Sequence, residues 1–290
     1  MMMNPVLRRE TKTTLRNWKM FAVITVYVAV VTIGAMLYIY GSVFRSCDYS
    51  FDPQSMIGMY IVLCAMQMGL MLLAAPALTA GCISGERERQ TLDLLLMTKM
   101  SSFSIIMGKL TSSMSTLILL MVSTLPVFAI AFYFGGVSLL SLFGMMLYIV
   151  LTACMAASIS IFCSCIFKKT MVSMVIVYLL IGGIFCFGTL IIALLLNSLS
   201  WNIYQSNANI VPQMLILSAN PGVGFFSVIQ EQMGNDFIGS IFYQSSNKYS
   251  DTITFLLNHY WIVNVIFDVI VICIFVSLSV YFINPVRKKK

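Results

Sequence analysis

The densest run of residues able to do chemistry is Gly85-Glu86-Arg87-Glu88-Arg89-Gln90-Thr91-Leu92-Asp93-Leu94-Leu95-Leu96-Met97-Thr98-Lys99. Glu86 and Glu88 would suit general acid–base work only if a nucleophile, a histidine or a metal ligand converged on them, and none accompanies them. Read as a helix, the run sets Leu92, Leu95, Leu96 and Lys99 along one side at i, i+3, i+4, i+7 spacing, with Glu86, Arg89, Gln90 and Asp93 on another. A short two-sided helix of this kind can lie on a bilayer or enter a groove on a partner protein. The plain alternative is a solvated loop whose charges stop translocation.

Other candidates carry less. Gly108-Lys109 would belong to a phosphate-binding loop only with Gly at Phe103 and a hydroxyl residue at Leu110, so no ATP site is expected on this chain. Cys163 and Cys165 flank one serine, but zinc needs about four ligands and the single histidine, His259, is expected across the membrane. No metal or other cofactor is therefore assigned. Most cysteines lie in apolar runs, where they behave as small hydrophobes, and only Cys47 falls in an expected outer loop. The 22 methionines are spread over nearly every apolar run and read as bulk rather than as a specific cavity.

Asp268 stands apart. It lies inside the last apolar run, on a helical face shared with Trp261, Asn264, Ile272 and Phe275. An acid at such depth is costly, so Asp268 and Asn264 are read either as part of a substrate path or as a hydrogen-bonded packing pair between helices. No Lys or Arg is expected deep in a span to pair with it.

The elements that position these residues follow from composition. Of 290 residues, 60% are hydrophobic and 9% charged, with a mean hydropathy of +0.95. Soluble domains carry roughly 25% charged residues, and that shortfall makes this a membrane protein. A spanning helix needs about 20 mostly apolar residues. Six such stretches occur, at 20–44, 56–80, 104–134, 137–167, 171–196 and 260–283. Gly135-Gly136 marks the turn of a helical hairpin and Lys168-Lys169-Thr170 the next break.

Lys and Arg bias sets the orientation. With the N-terminus in the cytoplasm, fifteen of the 17 basic residues fall on the inner side and only Arg45 and Lys248 on the outer. Both termini are then cytoplasmic, and the net charge of +7 marks the inner face rather than a nucleic-acid footprint. Residues 197–259 form a long outer segment whose apolar pieces are too short to span, which suits re-entrant or interfacial helices. The expectation is an all-α membrane protein with one domain over 1–290.

The charged run also resembles a known signature. Glu86-Arg-Glu88-Arg-Gln-Thr91-Leu92-Asp93-Leu-Leu95, then Thr98-Lys99-Met100-Ser101 and Gly108-Lys109, is similar to the pattern of ABC-2 type permeases, E-x-E-x-G-T-L-[ED]-x-L-L, [TS]-P-x-[ST], G-K. Asn4-Pro5-Val6-Leu7-Arg8-Arg9-Glu10 resembles that family's opening amphipathic helix, expected over 4–19, with Asn4 and Pro5 apt for a helix start. The resemblance implies the membrane subunit of an ATP-binding-cassette exporter in the cell membrane. It is not itself an enzyme, because ATP and Mg²⁺ would be held by partner ATPase subunits. A second permease chain, identical or homologous, would complete it. Amphipathic peptides, hydrophobic drugs, lipid-linked glycans and ions all stay open as substrates, with the apolar lining favouring an amphipathic peptide, drug or lipid-like molecule.

Within 81–103, Glu86–Thr98 would be the coupling helix that docks on the ATPase. Leu92, Leu95 and Leu96 would be its anchors, and Glu86, Arg87, Glu88, Arg89 and Thr91 its polar contacts. The sequence departs from the pattern at Gln90, where Gly is usual, and at Lys99, where Pro is usual. Gln favours helix over Gly by up to about 1 kcal/mol, so a more continuous helix is expected there. The rival reading is a secondary transporter or channel driven by ion gradients, which would usually show several intramembrane acids.

Overall fold

A computed structural model describes residues 18–41, 53–91, 101–135, 138–183, 218–234 and 259–283, and all regular structure among them is helical. In chain order the helices are α1 (Trp18–Ile39), α2 (Pro53–Thr79), α3 (Ser84–Glu88), α4 (Ser102–Ser123), α5 (Leu125–Gly135), α6 (Leu139–Ile166), α7 (Thr170–Gly183), α8 (Pro221–Met233) and α9 (Tyr260–Ile283). Five helical stretches are long and apolar enough to cross a membrane: Met20–Ile39, Ile57–Glu88, Ser102–Ser123, Leu139–Ile166 and Tyr260–Ile283. The expected span at 171–196 is described only as α7, which is apolar but shorter. The expected N-terminal helix up to residue 17, the leucines of 92–100, and most of 197–259 lie outside the described residues.

Local chemistry sets the helix ends. Ser101 caps α4 by accepting from Ser104 N at 3.2 Å, and Ser138 caps α6 by accepting from Ser141 N at 3.1 Å. α5 ends at Gly135, where the sequence places the hairpin turn. The single span expected over 104–134 is instead two helices broken at Thr124. Pro126 lacks the N–H that would continue the ladder, and Thr124 returns its hydroxyl to Met121 O at 2.7 Å. Around the break the bonds tighten to i→i−3, with Thr124 N on Met121 O at 3.1 Å and Val127 N on Thr124 O at 2.9 Å.

The chain forms two compact units, residues 1–177 with 272–290 and residues 178–271. In the first, α2 is the hub and touches α1, α4, α5 and α6, while α4 also packs on α6. Met59, Leu63, Met71 and Ala75 of α2 are buried with Ile105, Ile106 and Leu117 of α4 and Met145 and Ile149 of α6. Ala153, Ala156, Ala157, Ser160 and Ser164 are buried along α6, and side chains this small let helix backbones approach closely. Phe162 of α6 stacks edge-on with Phe275 and Phe282. α1 instead exposes Phe21, Val26, Ile33, Met36 and Leu37, an apolar face suited to lipid.

The second unit contains α8 and the first half of α9. Pro221 stands in the first turn of α8, Asn220 Oδ1 accepts from Gly222 N at 2.8 Å, and Gly234 closes the helix at φ 66°.

Candidate functional site

The charged run begins where α2 ends. Thr79 returns its hydroxyl to Ala75 O at 2.7 Å, and the chain turns through Ala80–Ile83 into α3. The N-cap residue of α3 is Ile83, which has no side chain able to accept the first amides. Ser164 of α6 does so from outside: its Oγ accepts from Ile83 N at 3.0 Å and Ser84 N at 2.9 Å, and donates to Ser84 Oγ at 3.2 Å. The hydroxyl thereby fills its acceptor and donor capacity. Ser164 and Ser84 are both fully buried.

The next three side chains each reach a different helix. Glu86 Oε1 takes Lys109 Nζ of α4 at 2.8 Å, with Lys109 almost fully buried and Glu86 partly so. Arg87 donates to the carbonyl of Cys165 in the last turn of α6 at 3.0 Å. A cation there meets carbonyls that have no intrahelical partner and the negative end of the helix dipole. Glu88 accepts from Thr170 N at 2.9 Å and from Thr170 Oγ1 at 3.0 Å, and so caps the start of α7 with a carboxylate. Glu86, Arg87 and Glu88 therefore fasten α3 to α4, α6 and α7. The alternation of charge visible in the sequence is a set of three separate attachments.

Helix α3 stops immediately afterwards. Gln90 lies at φ 57°, in the left-handed region. Its N–H donates to Arg87 O at 3.1 Å, and Thr91 N donates to Glu86 O at 2.9 Å. These two bonds make a Schellman closure, the usual helix stop built on glycine. The expectation of a more continuous helix through Gln90 is thus corrected. Intrinsic helix preference favours Gln by a fraction of a kcal/mol, but the backbone here needs a left-handed residue, and Gln adopts the conformation that Gly would take without strain. Arg89, Gln90 and Thr91 are exposed on the far side of this stop. Leu92 and Leu95, expected as anchors, lie outside the described residues.

Sequence reasoning gives two members of the site no role in it. Lys109 enters only as the end of the Gly108-Lys109 motif at the edge of a span, yet it lies buried about two turns into α4. Ser164 carries no signal at all, being one of many small residues in α6. Lys168 and Lys169 are exposed between α6 and α7, beside the residue that Glu88 holds.

Asp268 and Asn264 sit elsewhere, in the second unit. Both are buried on α9. Asn264 Nδ2 donates to Ser218 O at 2.8 Å and to Asn220 O at 3.4 Å, tying α9 to the entry of α8. Asp268 Oδ2 is buried without a hydrogen-bond partner among the described residues. Asn264 thus joins α9 to the entry of α8, and Asp268 presents an acceptor with no partner among the described residues.

A sequence model of the family described as ABC-2 type transporter matches residues 5–211, well over half of the chain and including the whole site around α3. No curated protein matches it.

Proposed function

The chain belongs to the ABC-2 type transporter family, and from that premise we propose that it is the six-span membrane subunit of an ATP-driven exporter, moved by a separate ATPase through the segment Glu86–Thr98. Membrane components of this family carry no ATPase activity themselves, and the apolar helices make the chain a multi-pass membrane protein. ATP and Mg²⁺ belong to the partner subunits in this reading. A second permease chain, identical or homologous, completes the pathway.

The observation that carries the proposal is the attachment of α3 to α4, α6 and α7 by Glu86, Arg87 and Glu88. A short helix hung on one flexible loop would yield under load. One bonded to three helices passes its displacement to all of them, because packed elements shift as units rather than deform. Labour within the motif divides accordingly. Glu86, Arg87 and Glu88 brace the segment from within, while Arg89, Thr91, Leu92 and Leu95 meet the ATPase, the leucines as buried anchors and the polar residues as register. Fifteen basic residues on one side support a cytoplasmic placement of this surface. Substrate then leaves outward, past a 197–259 segment that caps the exit, and the apolar spans favour an amphipathic molecule.

The test is the double variant Leu92→Asp, Leu95→Asp, purified with its ATPase. An unpaired charge buried at an interface opposes binding, so the ATPase is expected to be lost while membrane insertion persists. Normal co-purification of the ATPase would remove the coupling role.

A further inference from the structure

We propose that Asn220, Asn264 and Asp268 form a binding site inside the membrane for neutral hydroxyl or amide groups of the transported molecule. The transport reading supplies only the identity of the occupant as cargo.

The site is built from one face of α9 and the entry of α8. Trp261, Asn264 and Asp268 stand at i, i+3 and i+7, within about 60° of one another around the helix and about 10 Å end to end. Asn264 brings Asn220 to the middle of that strip by donating to its carbonyl at 3.4 Å and to Ser218 O at 2.8 Å. Asn220 and Asp268 are each only 1% exposed. Along the strip three buried polar atoms have no partner among the described residues: Asn220 Nδ2, Trp261 Nε1 and Asp268 Oδ2. Buried polar groups in native proteins are nearly always satisfied, so unused ones gathered on one face call for a complement.

The chemistry of the complement follows from the set. Two of the three atoms are N–H donors and the third is a carboxyl oxygen. An ammonium would serve Asp268 but leave both donors facing a cation. An anion would serve the donors but face the carboxyl group. Hydroxyl and amide groups each give and take hydrogen bonds, so more than one of them along the strip answers all three. They do so whether Asp268 is ionised or protonated, since a carboxylic acid also gives and takes. No Lys or Arg lies among the described residues of this unit to neutralise Asp268. The other carboxylate and imidazole among its described residues, Glu231 and His259, face each other at 3.8 Å, with His259 about 13 Å up the helix axis from Asp268.

The full chain in lipid nanodiscs, without ATPase, tests this. Trp18→Phe and Trp201→Phe leave Trp261 as the sole indole of the 3 in the sequence. Three brominated probes of one chain length, a long-chain amide, a fatty acid and an alkyltrimethylammonium, then compete to quench it. The expected result is saturable quenching by the amide, reversed by its bromine-free analogue and weak with either charged probe. Asp268→Leu should weaken the amide about tenfold or more, whereas Asp268→Asn, which still gives and takes, should stay within about threefold. Tighter binding of the ammonium or the fatty acid would replace the proposal with a charged-ligand site. Quenching that never saturates, or no amide quenching, would mean lipid contact alone and overturn it. The probe comparison needs no variant at Asp268, so it decides the question even if the Leu form misfolds. Failure here also leaves the ATPase-docking test untouched.

Discussion

Glu86 and Lys109 meet at 2.8 Å across 23 residues of sequence, and the two ends of the pair are unequally buried: the lysine side chain is 4% exposed and the glutamate 28%. That inequality decides what each deletion does. Glu86→Gln takes the counter-charge of this pair away from a buried ammonium, at a cost of up to about 3–5 kcal/mol. Lys109→Met leaves a carboxylate whose Oε2 is also buried, but the side chain as a whole is partly exposed and a rotation brings it to water, so this loss should be smaller. The swap Glu86→Lys, Lys109→Glu should recover part of the loss. Thermal unfolding of the four purified proteins checks the order, and equal loss from both single variants would contradict the burial argument.

Gln90 offers the opposite case, a position where the protein is less stable than it could be. Its φ of 57° is strained for a side chain with a Cβ. Gln90→Gly should raise stability by about 1 kcal/mol, the relief of left-handed strain less the extra freedom of glycine in the unfolded chain. Gln90→Val should lower it, because β-branching tolerates this region worst. A melting temperature that falls on Gln90→Gly would show that the Schellman closure is not kept in solution.

Ser164→Ala removes the hydroxyl that serves Ile83 N and Ser84 N. Two buried amides then lose their acceptor, at about 1–3 kcal/mol for each unsatisfied group. Faster hydrogen exchange should appear at residues 83–84 ahead of any global change. Exchange unaltered at those amides would mean that another acceptor caps α3.

Orientation is open to direct labelling. With the basic residues inside, Cys47 should react with an impermeant maleimide in intact cells, and a cysteine placed at exposed Thr91 should react only after the membrane is opened. Labelling of the Thr91→Cys variant from outside would invert the topology and, with it, the site of ATPase docking.

What the sequence determined by itself was whatever depends on neighbours along the chain. A run of apolar residues must satisfy its own backbone in lipid, so composition alone dictated helices and their approximate limits at Ser102, Gly135 and Tyr260. The acid–base run announced its family in the same way, through a motif that runs from Glu86 to Lys109. The partners of that run were decided only in three dimensions. The motif holding both Glu86 and Lys109 does not mark them as a pair, nothing near Ile83 marks Ser164 81 residues on, and nothing in Glu88 marks the start of α7. Such pairings arise when packed helices bring buried polar groups together that must find one another or remain unsatisfied. Gln90 shows the same limit from the other direction. Its local preference is helical, and the closure that ties Thr91 N to Glu86 O overrides it, because two backbone hydrogen bonds and three anchored side chains together outweigh a propensity worth a fraction of a kcal/mol.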